Sequence, residues 1–311
     1  MKKTNPIAIS LNFDSINESL GFPKKFNDPS YFKGFDRVIE IINKYNIKIS
    51  IFVIGKDLEN KEIFSRVRDW SSAGHEIGNH SWSHYHNLGS LNTNEVNQEI
   101  SKSHEIIQKC TKKEPKGFIC PSWNISNKII SKLINLNYSY DHSIFPSLGL
   151  FLLYFKDALN HIGSKRFFRI IDRKDWIHHF CSSKKPFFVD ESLKKIKINK
   201  NKKILIMPLP TKSKIHIPLW YTIGFVFGWK FFFKSLKNFL NNNEYFYLLF
   251  HPADFTSNQD ISFKYKNNLQ RFNISVEEKI IILKNVFMMI SESKRKCVKM
   301  NELANHYKKK L

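Results

Sequence analysis

The sequence predicts an α/β protein built on a parallel sheet, and three observations predict it. Strand and helix signals alternate through the first half of the chain, the pattern of right-handed strand–helix–strand units. The strands are short β-branched runs, such as "IAISLNF" at 7–13 and "IKISIFVIG" at 47–55, that suit burial on both faces. Polar residues able to do chemistry stand at the ends of several different strands, which favours a barrel over an open sheet.

Each element has its own signal. "YFKGFDRVIEIINKYN" (31–46) repeats apolar residues at helical spacing through Phe35, Val38, Ile39, Ile42 and Tyr45. "NKEIFSRVRDWSSAG" (60–74) reads as a helix closed by Gly74. "HEIGNHS" follows as a strand. Residues 93–113 form a long amphipathic helix whose Thr93-Asn94-Glu95 start suits a capped first turn. "KGFIC", "NKIISKLINLN" and "YSYDHS" continue as strand, helix and strand. Residues 145–200, rich in lysine and aromatics, read as an insertion. Beyond it come a strand at 203–210, a helix near 228–241, the strand "YFYLLFHP" at 245–252, a helix at 275–293, a short strand "CVKM" and a terminal helix. With neither internal repeat nor Gly/Ser linker, the expectation is one domain over 1–311 carrying the 145–200 insertion.

Composition narrows the class. Hydrophobic residues make up 42% of the chain and its net charge is +23. The lysines are scattered and no nucleic-acid module is recognisable, so the charge is read as compositional bias and nucleic acid is not an expected partner. Cys110, Cys120, Cys181 and Cys297 are far apart, which argues against a disulfide framework or a cysteine zinc site. The start "MKKTNPIAISLNFD" makes a poor signal peptide, so the expected location is the cytoplasm. Two uncharged stretches, 143–155 and 217–229, fall short of the roughly 20 residues needed to span a bilayer. Core or pocket lining is preferred for them, with lipid contact as the alternative.

The chemistry centres on "GHEIGNHSWSHYHN" (74–87). His80 and His84 stand four apart, and on a helical turn both rings would face one metal. Asp14 ends the first strand, Pro121 and Trp123 follow another in "FICPSW", Asp141 sits in "YSYDHSIFP" and His251 in "LLFHPADF". In a barrel those strand ends converge on one face, where a metal, a water and a base could meet.

With these motifs in place, the sequence resembles the polysaccharide deacetylases of the NodB-homology, carbohydrate esterase type. "HSWSH" looks like their histidine pair, "FICPSW" like their arginine-x-proline motif, and "LLFHPADF" like their last motif. The resemblance implies a distorted (β/α) barrel of about seven strands. It implies a hydrolase that removes an N-acetyl or related acyl group from a sugar in cell-surface glycan metabolism. It further implies a divalent metal, zinc foremost and cobalt or nickel otherwise, on Asp14, His80 and His84, with His251 as general acid. Pro121, Trp123 and Asp141 are the expected substrate contacts, and a carbohydrate, lipid-linked in one form, the expected partner. That last form extends the expected location to the inner face of a membrane, touched peripherally.

Two departures matter. The family carries two carboxylates at the first strand, where "LNFDSIN" has Asp14 alone. Either Asp14 is the base and Ser15 replaces the metal ligand, or Asn12 replaces the base and Asp14 is the ligand. The family's arginine, partner of the base, is Ile119 here. An arginine stranded in a buried site without its carboxylate is costly, so the paired loss favours the second register. Glu18 is a further candidate base, more simply read as a solvated loop acid. The alternative function is a catalytically impaired relative that binds a glycan without turnover.

Overall fold

The computed structural model describes residues 4–17, 26–147, 155, 158–159, 162–163, 165–180, 182–196, 203–212, 217–262 and 270–311. Glu18, and parts of the 145–200 segment, lie outside these.

The elements alternate as expected. The first are β1 (Ile7–Phe13), α1 (Phe35–Lys44), β2 (Ser50–Val53), α2 (Lys61–Ser72), β3 (Glu76–Asn79), α3 (Thr93–Thr111), β4 (Gly117–Phe118), α4 (Asn127–Asn135) and β5 (Tyr140–Asp141). The expected insertion holds α5 (Lys165–Ile171), α6 (Trp176–Phe180), β6 (Phe187–Val189) and β7 (Lys195–Ile196). Then come β8 (Ile204–Ile206), β9 (Thr211–Lys212), β10 (Ile217–Pro218), α7 (Ile223–Phe227) and α8 (Trp229–Asn241). The chain closes with β11 (Tyr247–Phe250), α9 (Gln270–Asn273), α10 (Val276–Glu292), β12 (Cys297–Val298) and α11 (Met300–Lys308).

The main sheet runs β11-β1-β2-β3-β4-β5-β8-β6-β7, with β12 also paired to β1. Its first seven strands match the expected number. Among the described residues no pairing closes the two ends, so the barrel is not a formally closed one. β6 runs antiparallel to both β8 and β7, so the insertion extends the sheet with a hairpin.

The chain divides into two compact units: Met1–Ile51 with Gly74–Glu76 and Leu219–Leu303, and Phe52–Ala73 with Ile77–Pro218 and Ala304–Leu311. In the first, β1 pairs in parallel with β11 and β12. Ile7, Ile9, Leu11 and Phe13 alternate along β1 with Ala8, Ser10 and Asn12, and every one is buried. In the second, β3, β4, β5 and β8 are parallel. Its core joins Val96 and Ile100 of α3, Ile129, Ile130 and Leu133 of α4, and Ile204 and Ile206 of β8.

Local signals explain the element ends. Asn60 caps α2 by accepting from the Glu62 and Ile63 amides. Gly74, at φ +94°, takes the left-handed turn after that helix, where a side chain would be strained. The cap of α3 is Asn92, one residue before the expected start. It forms a full capping box with Glu95.

Candidate metal centre

In the second unit the strands β3, β4 and β5 run in one direction, so residues that follow them leave from one sheet edge. His80 leaves β3 here, 1% exposed. Its Nδ1 lies 2.8 Å from the Ile119 carbonyl oxygen. A carbonyl only accepts, so Nδ1 carries the proton and the Nε2 lone pair is available to a metal. Fixing the tautomer through the other ring nitrogen is the usual way a ligand histidine is held.

The expected helical turn between His80 and His84 is not what forms. Residues 80–84 are irregular backbone, with Ser81 at φ +66° and His84 at φ +54°. The rings nevertheless meet, centroids 4.7 Å apart. The loop is pinned from several sides. Glu99 accepts from the Trp82 and Ser83 amides and from Ser83 Oγ. Asn79 Oδ1 accepts from the Ser81 amide, and Ser81 Oγ from the His84 amide. Left-handed backbone at non-glycine residues is costly and persists where its surroundings dictate it.

The neighbouring loop is strained too, with Ser122 at φ +51° and Trp123 at φ +54°. Pro121 is buried and Trp123 half-buried. Ser122 Oγ lies 2.6 Å from His86 Nδ1. Behind it stands a buried cluster from the insertion. Arg173 donates to the Ser122 carbonyl and to both oxygens of Asp175. Asp175 accepts from the Ile125 amide and lies 3.0 Å from His179 Nε2. Burial opposes the charge on Asp175, but His179 and Arg173 more than offset it and hold the carboxyl well below the usual range.

Asp141 has no exposed surface. Its carboxylate accepts from the Ser143 amide and hydroxyl, and Ser143 Oγ in turn accepts from the Cys120 amide. Burial pushes the Asp141 carboxyl up to about 7, against the pull of Ser143. The chain Asp141–Ser143–Cys120 fixes the backbone beside the Ile119 carbonyl that orients His80. In this conformation Asp141 supports the site from within. The Ile119 side chain is buried, 1% exposed.

In the first unit Asp14 follows β1 and His251 follows the parallel β11. Both are largely buried. Burial pushes the Asp14 carboxyl up to about 6, opposed by His251 and Arg271. Burial also works against protonating His251, but Asp14 and Asp254 outweigh it and hold His251 above its ordinary value. Asp254 lies 3.8 Å from His251 Nδ1 and 3.4 Å from Arg271. It also accepts from the His251 amide and from Thr222. Asn12 is 5% exposed, and its Oδ1 has no hydrogen-bond partner among the described residues.

Asp14 in the first unit, and His80 and His84 in the second, are all buried. One carboxylate and two imidazoles make a donor set suited to zinc and its neighbours.

The sequence reading did not pick out Asp254, Arg271, Glu99 or the Arg173–Asp175 pair. Asp254 was within reach, three residues after His251 in the same motif. The others act through contacts distant in sequence that leave no local pattern.

Residues 2–140 match the family model for polysaccharide deacetylase. That segment is similar to the polysaccharide deacetylase family. The matched segment contains Asp14, His80, His84, Pro121 and Trp123, while Asp141 and His251 lie beyond it. A peptidoglycan deacetylase of Helicobacter pylori is 30% identical over 112 residues, covering 36% of this chain and 37% of that one. A peptidoglycan-N-acetylglucosamine deacetylase of Bacillus cereus is 32% identical over 99 residues, 32% of this chain and 34% of that one. The matches thus span about a third of the length of these curated relatives. Among solved structures, a candidate polysaccharide deacetylase from Mycobacterium smegmatis superposes with a TM-score of 0.61 at 13% identity, covering 98% of this chain and 91% of that one. The allantoinase Puue gives 0.58 at 10%, covering 97% and 89%. At these identities the structural likenesses speak to the fold alone, and they extend it well past residue 140.

Proposed function

We propose that this protein is a metal-dependent hydrolase that removes an N-acetyl or related acyl group from a sugar of a cell-surface glycan. The observation that carries the reading is the His80–His84 pair, with ring centroids 4.7 Å apart and the His80 tautomer fixed, within a segment that matches the polysaccharide deacetylase model. Asp14, His80 and His84 would hold a divalent cation, zinc first among candidates. Such an ion polarises the acyl carbonyl and lowers the pKa of water from about 15.7 toward roughly 7.

The chain's own residues supply the rest. His80 is held in one tautomer by the Ile119 carbonyl, which keeps its ligand nitrogen aimed without reorganisation. His251, whose pKa Asp14 and Asp254 hold above its ordinary value, suits proton delivery to the departing amine nitrogen. Asp254, tied to Arg271 and Thr222, holds that imidazole in place. Pro121 and Trp123, on the strained loop braced by Arg173, are proposed as the sugar-facing wall.

A second reading has its own observation. Asn12 cannot accept a proton, and aliphatic Ile119 stands where the family's arginine would. A protein of this kind would bind an acylated glycan and ion without turnover.

The two readings separate in one experiment. Acetate release from N-acetylglucosamine oligomers is followed for protein stripped of metal and reloaded with zinc or cobalt. Hydrolysis predicts release that returns with the ion and is absent in His251→Ala. Ligand-induced thermal stabilisation with no acetate would support binding alone. Neither release nor stabilisation with any acylated amino sugar would overturn both.

A further inference from the structure

In the first unit, two cations that the proposed reaction does not use grip the turn after His251. Pro252–Phe255 form one tight 3₁₀ turn. It is tied to its own entrance: the Asp254 amide donates to the His251 carbonyl, and Thr256 Oγ1 donates to the Pro252 carbonyl. Lys279, on α10, is 1% exposed. Its ammonium donates to the Thr256 carbonyl and lies 5.2 and 5.9 Å from the Phe225 and Phe272 ring centroids. Burying an ammonium is costly, and methionine would fill similar core space without that cost. Burial draws the Lys279 pKa down to about 7, against the pull of Asp254 and Asp260.

The adjacent carbonyl is gripped from another helix. Arg37, on α1, donates to the Phe255 carbonyl at 2.9 Å and to both oxygens of Asp260 at 2.7 and 2.8 Å. Asp260 in turn accepts from the Ser257 amide. The backbone just before α1 closes the remaining space: a Cβ on Gly34 would lie 2.6 Å from both the Pro252 carbonyl oxygen and Thr256 Oγ1. His251 stands at the entrance of this turn, and its amide donates to Asp254 Oδ2. Any shift of the turn therefore carries the imidazole and its carboxylate partner with it.

We propose that Lys279 and Arg37 are positioning residues for His251, holding the turn so that the imidazole meets the departing amine. This rests on the reading of His251 as the proton donor. A general acid must stand within hydrogen-bond reach of the atom it protonates, and a misplacement of about 1 Å can cost roughly 10²-fold in rate. A buried lysine that donates to a carbonyl beside the acid does there what methionine could not.

Two measurements test it on the intact chain and on Lys279→Met and Arg37→Lys, each first verified as folded by circular dichroism. Arg37→Lys keeps a charge for Asp260 but loses the planar fork that also reaches Phe255, so it serves even where Lys279→Met does not fold. The first measurement is amide hydrogen exchange. The His251, Asp254 and Thr256 amides should exchange about tenfold faster or more in each variant, with those of β1 unchanged. The second compares two acetyl donors on zinc-loaded protein. N-acetylglucosamine oligomers release an amine that needs a proton, whereas 4-nitrophenyl acetate releases a phenolate that does not. Acetate release from the oligomers should fall by about 10- to 100-fold, while release from the ester barely changes. General damage to the site would lower both. The inference is overturned if exchange at the turn is unchanged in folded variants, or if oligomer and ester hydrolysis fall together. An intact chain that releases acetate from neither donor would sink the hydrolase reading instead, and exchange at the turn would then decide the inference by itself.

Discussion

At the residue scale the question is what Asp14 does. That Asn12 and Ile119 both stand where a base and its arginine would be favours the register in which Asp14 is a metal ligand and Asn12 takes the base's place, since a buried arginine without its carboxylate is costly. Asn12→Asp with Ile119→Arg should then raise acetate release, toward the roughly 10²- to 10⁴-fold that a positioned base contributes. Asn12→Asp alone should gain less, because its carboxylate lacks a partner. In the other register Ser15→Asp should tighten metal binding, and the Asn12 and Ile119 pair should add no rate. Titrating metal into all three variants and following acetate decides between them. The candidate ligands were legible as residue types in a spacing, but their setting was not. His80 and His84 are buried, so His80→Ala or His84→Ala should abolish metal binding and also lower the melting temperature, read by metal analysis and thermal denaturation.

At the scale of elements, the alternation of strand and helix was readable because apolar periodicity is local. What failed was the geometry of short segments. The spacing of His80 and His84 fits a helical turn equally well, and Glu99, Asn79 and Ser81, with the Gly55 and Lys56 amides, hold it as a loop with left-handed residues. Glu99→Ala should therefore lower metal affinity by about tenfold or more without unfolding the chain, measured by zinc titration and circular dichroism. The runs "KGFIC" and "YSYDHS" pair over only two residues each, and beyond them the Cys120 amide turns to the Ser143 hydroxyl. Arg173 lies over the Trp176 ring, and His179 is enclosed. The Arg173–Asp175 pair gives a pH prediction. Asp175 is held below its unfolded pKa, so its stabilisation is present above that unfolded value, near 4. It is lost as pH falls through the folded value. Asp175→Asn should cost about 3–5 kcal/mol at neutral pH by stranding buried Arg173. It should also flatten the acid limb of stability, as urea melts at several pH values would show.

At the scale of the whole molecule, the fold was the most legible feature and the function the least. Motif order along the chain pointed to the sheet, to the histidine pair and to His251, while the inward-facing Arg173 and Asp175 depend on contacts distant in sequence. The account's central claim is that Asp14, His80 and His84 together hold one divalent ion. X-ray absorption on zinc-loaded protein, with elemental analysis of the same sample, tests it most directly. The account predicts one zinc per chain, bound by nitrogen and oxygen at about 2.0–2.2 Å, and none in the protein carrying both His80→Ala and His84→Ala. A sulfur neighbour near 2.3 Å, or full zinc occupancy in that double variant, would contradict it.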